Sequence, residues 1–253
     1  MNRREFLKFG AVSFVSALFP LSIYHYVNSN NSKLKQGIRE VIENRVYLET
    51  DFKYTREEQT EVRSAEMAGH GTIVGGYVFT VDHLLEKKID FENYGGGSIY
   101  WDLTKVSTDT KIGKSRLELI ASDYDLDIAV LKLPKDYQKP KTKVRLGDSD
   151  KLKPLDKVYL IGDPRDKQII IREGIVSNEI ERRKTVGENS LVSYGFNTSI
   201  QLFPGDSGSP LLNEEGEIVG FANHMLGFYA SNMVPINDFK RIRDGERTDI
   251  QPI

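Results

Sequence analysis

From about Arg45 the chain is written in short apolar runs broken by turn residues, and nothing else in it constrains the fold as strongly. RVYLETDF alternates like a strand. GTIVGGYVFTV holds two β-rich runs around Gly75-Gly76, a hairpin signal. SIYWDLTKV, SRLELIAS and DIAVLKL follow, and the charged stretch EEQTEVRSAEM reads as a solvated connection among them. The residues PKDYQKPKTK, Pro134 to Lys143, read as a crossing loop between two halves. The second half repeats the style in KVYLIG, QIIIREGIVS, LVSYGFNTSI, SPLLN, EIVGFANHM and ASNMVPI. INDFKRIRDG, with Asn237 as N-cap and Gly245 past the end, predicts one short terminal helix. Many short strands without intervening long helices predict an all-β barrel or sandwich.

The stretch QLFPGDSGSPLL, Gln201 to Leu212, sets two apolar segments around a knot of Gly, Asp, Ser and Pro. Those residues build turns, so the motif alone is weak evidence for chemistry. It gains meaning only with a base, an acid to orient that base, and the right order between them. There is no cysteine, which removes disulfides, thiolate nucleophiles and zinc-thiolate sites. The four histidines are His25, His70, His83 and His224. His25 lies beside the N-terminal apolar run. His70, between glycines in AGHGTIV, reads as structural. His224 follows the strand EIVGFAN. His83 stands in VFTVDHLLEKK, where an apolar strand gives way to a helical turn. Among the acids, Asp127 immediately precedes the apolar run IAVLKL, while Asp123 and Asp125 occupy a polar loop before it.

The order His83, Asp127, Ser207 is that of chymotrypsin-like serine proteases, distinct from the subtilisin and α/β-hydrolase orders. FTVDHLL resembles the Thr-Ala-Ala-His segment of that family, DIAVLKL the segment carrying its aspartate, and GDSGSPL its nucleophile turn. VYLIGDPRDKQIIIREGIVS and GEIVGFAN…NMVPINDFKRI resemble the second half of the HtrA/Deg branch. The likeness covers roughly residues 45–244. It implies two antiparallel β-barrels of the chymotrypsin type with a short C-terminal helix: an N-terminal export segment and linker over 1–32, then a protease domain over 33–253. The first barrel would span about 45–143 and the second about 144–244. It also implies an endopeptidase with Ser207 as nucleophile, His83 as general base and Asp127 as its orienting acid. The backbone N–H groups of Gly205 and Ser207 would form the oxyanion hole. The wall and base of the primary pocket would lie in NTSIQLF and FANHM, with Gln201 at the base and Asn223, His224 and Met225 along the cleft. Met225 and Phe228 either face substrate or pack.

Asn197 to Phe203 contains no Asp or Glu, so the pocket offers nothing to compensate a desolvated Arg or Lys. Cleavage after small or medium uncharged residues is expected. Three positions depart from the family pattern. Ser209 stands where many relatives have Gly, Asp82 sits beside the base, and only nine residues, Gly245 to Ile253, follow the terminal helix. No PDZ domain is expected there.

MNRREFLKFGAVSFVSALFPLSIYHYV places Arg3, Arg4 and Lys8 before an uncharged run from Phe9 to Tyr24. That is the basic and apolar layout of an export signal, and NRREFLK resembles the twin-arginine type, with Asn2 where Ser or Thr is usual. The only cleavage candidate is the poor Val15-Ser16-Ala17, so both a cleaved signal and a membrane anchor remain open. NSNNSKLKQ then reads as a polar linker. The net charge of -2 gives no field that would gather nucleic acid. Partners are therefore expected to be protein or peptide substrates, with neither metal nor organic cofactor. The competing reading is a catalytically weak module at the cell envelope that keeps the protease fold for binding or chaperoning.

Overall fold

The computed structural model describes residues 31–55, 62–85, 90–91, 99–100, 109–112, 115–123, 126–138, 140–163, 169–180, 194–226 and 230–245. The export segment, Asp125 and Phe228 lie outside them. Among the described residues no helix is long and apolar enough to cross a membrane.

Among the described residues, nine strands belong to the first half: β1 (Arg45–Thr55), β2 (Val62–Val74), β3 (Tyr77–Thr80), β4 (Asp90–Phe91), β5 (Ile99–Tyr100), β6 (Asp109–Ile112), β7 (Ser115–Arg116), β8 (Glu118–Asp123) and β9 (Ile128–Lys132). Seven of them form one antiparallel sheet in the order β7-β6-β1-β2-β3-β9-β8. Its spine is the long β1–β2 pair, running from Arg45 opposite Thr72 to Thr55 opposite Val62. Much of EEQTEVRSAEM is therefore strand, where a solvated connection was expected. Its charges hide the strand in the sequence; backbone pairing with β1 decides it. The β2–β3 hairpin turns on Gly75 and Gly76, at φ 61° and 103°, as their two-residue loop requires.

The second half holds β10 (Lys157–Gly162), β11 (Ile170–Ile175), β12 (Phe196–Thr198), β13 (Pro210–Leu212), β14 (Ile218–Leu226) and β15 (Ala230–Pro235). They form a sheet in the order β11-β10-β13-β14-β15-β12. Its two edges meet: Ser199 N donates to Ile175 O at 3.0 Å and Ser177 N to Asn197 O at 2.7 Å. The sheet thereby closes on itself and leaves no free edge between β11 and β12.

Ser32 to Gln36, expected as the end of a polar linker, instead open a helix, α1 (Ser32–Asn44). Asn31 caps it, accepting from the amides of Lys33 at 3.0 Å and Leu34 at 3.2 Å. Leu34, Ile38 and Val41 recur at helical spacing and are buried in the central core. The polar residues between them disguise the stripe. Gly37 lies so close to Gly216 that a Cβ would overlap its carbonyl. The terminal helix α2 (Ile236–Arg243) starts after Pro235, and no side chain caps it. Asn237, expected as the cap, instead donates through its side-chain amide to Asp148 Oδ1 at 2.7 Å.

One hydrophobic cluster joins the two halves. Phe79 of β3 stacks on Phe239 of α2 with centroids 5.4 Å apart, and Phe221 of β14 meets Phe239 at 4.7 Å. All three rings are fully buried. Such aromatic contacts hold the sheets in one relative position, and with them the residues at their facing ends.

Candidate active site

β3 ends at Thr80, and a 3₁₀ turn, Asp82–Leu85, carries His83 just beyond it. β9 pairs with β3, with Thr80 opposite Ala129, so Asp127 arrives beside His83 from the neighbouring strand. His83 N donates to Asp127 Oδ1 at 2.7 Å, and His83 Nδ1 meets Asp127 Oδ2 at 2.7 Å. With Nδ1 donating to the carboxylate, Nε2 presents its lone pair to Ser207 Oγ, 2.9 Å away. Asp127 adopts φ 55°, a left-handed conformation that few residues other than Gly, Asn and Asp accept. Asp123, expected in a polar loop, is the last residue of β8, opposite Ile128, and its Oδ1 accepts the Leu126 amide at 3.1 Å.

Ser207 sits in a turn with positive φ on both sides, 98° at Gly205 and 76° at Gly208. Gly208 N donates to Ala222 O at 2.9 Å, and His70 N donates to Ser207 O at 2.8 Å. A side chain at position 208 would overlap the His70 carbonyl, so only glycine fits there. Among the described residues, the amides of Gly205 and Ser207 donate to no backbone carbonyl. Ser209 is buried, and its extra hydroxyl has no partner among the described residues.

His70 is fully buried and supports the turn from below. Its Nε2 lies 3.0 Å from Asp163 O. Burial lowers its pKa below the ordinary 6.5, and the Arg45 guanidinium adds to the drop against the opposing pull of the Asp163 carbonyl.

The expected pocket residues divide into two groups. Asn223, His224 and Met225 continue β14 directly after Ala222, whose carbonyl already holds the serine turn. Asn223 Nδ2 donates to Asn232 Oδ1 at 3.2 Å, and Asn232 Nδ2 to Asn197 Oδ1 at 3.2 Å, a chain of amides across β14, β15 and β12. His224 is half-buried, and burial lowers its pKa. The Asp127 carboxylate opposes that drop and the His83 ring adds to it. Met225 is 49% exposed. Gln201 is exposed on the other side of the serine turn.

One contact beside Ser207 has no counterpart in the sequence reading. Arg172 of β11 pairs with Asp206 at 2.5 Å, with side chains 13% and 0% exposed. Arg172 Nη1 also donates to Gln201 O at 2.8 Å. A cation after the apolar run Ile169-Ile170-Ile171 was the available signal, but nothing local named its partner.

A profile described as a trypsin-like peptidase domain matches residues 67–221. The chain is 30% identical over 166 residues to a probable periplasmic serine endoprotease DegP-like of Pseudomonas putida, covering 65% of this chain and 30% of that protein. It is 32% identical over 186 residues to the serine protease Do-like HtrA of Bacillus subtilis, covering 66% and 35%. It is also 32% identical over 163 residues to the magnetosome formation protease MamE of Paramagnetospirillum magneticum, covering 62% and 20%. The chain thus spans about a third or less of the length of these relatives. A solved structure of the HtrA-type protease AlgW with a decapeptide has the same fold, with a TM-score of 0.60 at 16% identity over 84% of this chain and 66% of that one.

Proposed function

The chain belongs to the trypsin-like peptidase family, and on that premise we propose that it is a serine endopeptidase acting through an acyl-enzyme. The observation that carries this reading is the continuous line Asp127–His83–Ser207, with contacts of 2.7 and 2.9 Å. Ser207 Oγ attacks the peptide carbonyl carbon while His83 Nε2 takes its proton. His83 returns that proton to the leaving amine as the C–N bond breaks. Water, activated by the same imidazole, then hydrolyses the ester and restores Ser207. Asp127 holds the ring in the useful tautomer and stabilises the imidazolium. The amides of Gly205 and Ser207 receive the developing oxyanion; one such donor is typically worth about 3–4 kcal/mol in the transition state.

The substrate is a protein or peptide, a reading supported by the peptide bound to the similar AlgW. Gln201 lies at or near the base of the primary pocket, and Asn223, His224 and Met225 line the cleft. No carboxylate lies in residues 197–203, and the nearby cation Arg172 caps the Gln201 carbonyl. The first feature favours small or medium uncharged residues on the acyl side of the cleaved bond, while the charge of Arg172 is already taken up by Asp206. The enzyme works outside the cytoplasm, exported through its twin-arginine segment. The periplasmic name of the DegP-like relatives supports that location.

Labelling with a fluorophosphonate tests the activity. The wild-type chain should be modified at Ser207 and Ser207→Ala should not. An unlabelled wild-type chain that also fails to cleave a peptide library would favour a binding module instead.

A further inference from the structure

Resting on the peptidase reading, we propose that His70 is an acid switch on the nucleophile: a proton added to its buried ring takes the His70 amide away from the Ser207 carbonyl and shuts the enzyme off reversibly, separately from the protonation of His83. His70 joins two environments in one residue. Its backbone belongs to the serine turn. The N–H donates to Ser207 O at 2.8 Å, while the carbonyl accepts from Thr80 Oγ1 at 2.7 Å and lies against Gly208. Its ring is fully buried on the β1–β2 pair. A carbonyl only accepts, so Nε2 must donate to Asp163 O, 3.0 Å away, and the neutral ring carries no proton on Nδ1. Nδ1 is itself buried and meets no hydrogen-bond partner.

A second proton can enter only at Nδ1, and nothing there receives it. Thr72 lies on the same face of β2, with Arg45 of β1 opposite. The Thr72 hydroxyl and Arg45 Nη1 are likewise buried without a partner, and a guanidinium can only donate. The Tyr47 ring of β1 lies beside the imidazole, with centroids 5.5 Å apart. The charges acting on His70 are those of Arg45, of Asp163 just beyond β10 and of Asp206 in the serine turn. Both carboxylates are already engaged, Asp163 by Arg45 at 2.9 Å and Asp206 by Arg172 at 2.5 Å. α1 also packs on β2, but its buried acid Glu40 turns to Arg145. These pairs cancel, so a protonated ring would be one uncompensated charge in a buried site, and burial already holds its pKa below 6.5. The ring must then leave. Gly69 and Gly71 flank it and let the backbone of this one residue shift with it. Ser207 thereby loses the bond that fixes its carbonyl, and its Oγ moves off His83 Nε2. A displacement of about 1 Å is enough to lower the rate about 10²-fold.

The test compares the wild type with His70→Gln or, should that variant fail to fold, with His70→Asn; neither side chain titrates. For each, kcat/KM for a peptide is followed from about pH 8 to 4.5, within the range where circular dichroism stays native, and scaled to its own plateau. Protonation of His83 lowers both profiles alike, about tenfold per pH unit. The switch adds one more proton to the wild-type limb alone, so below its midpoint the wild type falls about tenfold further per pH unit than the variant. Returning the wild type to pH 7.5 should restore full activity. Hydrogen exchange gives a readout independent of His83. After correction for intrinsic rates, exchange in residues 69–71 should rise about tenfold per pH unit below the same midpoint in the wild type and stay level in the variant. Profiles that superimpose over the native range overturn the proposal. So does a steeper wild-type limb without the rise in exchange, which would leave the amide on Ser207. Should neither variant fold, wild-type exchange decides alone, and a level trace down to the end of the native range overturns the switch. A wild-type chain inert at pH 7.5 to both substrate and fluorophosphonate would overturn the peptidase reading itself, an outcome separate from an active enzyme whose two profiles coincide.

Discussion

Asp127 holds His83 at two points, the backbone N–H through Oδ1 and the ring Nδ1 through Oδ2, each at 2.7 Å. One carboxylate thus sets both where the imidazole stands and which nitrogen carries the proton. Asp127→Asn should lower turnover roughly 10⁴-fold, since an amide cannot enforce that tautomer. Asn accepts the φ of 55° as readily as Asp does, so the fold should survive and the loss should be chemical. Ser207→Ala and His83→Ala should cost as much singly as together, because the three groups act as a unit. Peptide hydrolysis by the single and combined variants checks this; near-native activity in His83→Ala would remove it from the base role.

Specificity is open to direct measurement. In a library sampling every residue on the acyl side of the cleaved bond, small and medium uncharged residues should dominate. A burial site without a carboxylate cannot replace the water that a substrate Arg or Lys gives up. Dominant cleavage after Arg or Lys would demand an acid from elsewhere in the fold.

Gly37 should resist replacement. In an isolated helix Gly→Ala gains about 1 kcal/mol. Here the new methyl would meet the backbone carbonyl of Gly216, itself held at φ 71° with Lys33 O against it. Neither partner is a flexible side-chain end, and overpacking of this kind costs about 1–3 kcal/mol. Gly37→Ala should therefore lower the urea midpoint. A rise would mean that α1 does not pack this tightly on the second sheet.

His70 gives stability a pH dependence of defined sign. Burial depresses its folded pKa below the unfolded value of 6.5. As pH falls below that value the unfolded chain takes up a proton that the native chain refuses, so the stability conferred by the neutral buried ring is present above about 6.5 and lost below it. Urea titrations from pH 7.5 to 5 should show a steeper loss for the wild type than for His70→Gln, which does not titrate. Equal slopes would remove His70 as the cause.

Leu155 is 75% exposed at φ 79°, in a turn where Asp156 N donates to Lys153 O at 3.1 Å. That third turn position suits Gly or Asn, and a left-handed L-residue costs about 1–2 kcal/mol. Leu155→Asn should raise stability by about 1 kcal/mol. The check is a higher urea midpoint with an unchanged slope.

What the sequence determined by itself is whatever local chemistry encodes. Gly75-Gly76 announces a hairpin because both positions need positive φ. His83, Asp127 and Ser207 could be named as candidates because few residue types do this chemistry and their chain order was distinctive, and the fold brings them into contact at 2.7 and 2.9 Å. The terminal helix showed its stripe but not its first residue, because Asn237 had Asp148 to bind. Tertiary structure alone decided the rest. The start of α1, Ser32 to Gln36, looked like a linker until Leu34, with Ile38 and Val41 a turn or two on, had a core to enter. The charged start of β2 became strand through its pairing with β1. Arg172 and Asp206 stand on different elements, and only the closure of the second sheet brings them under the serine turn. Turn preferences and reactive groups belong to single residues or short stretches. Burial, strand partners and buried charge pairs depend on the whole chain having already folded, and no short stretch contains them.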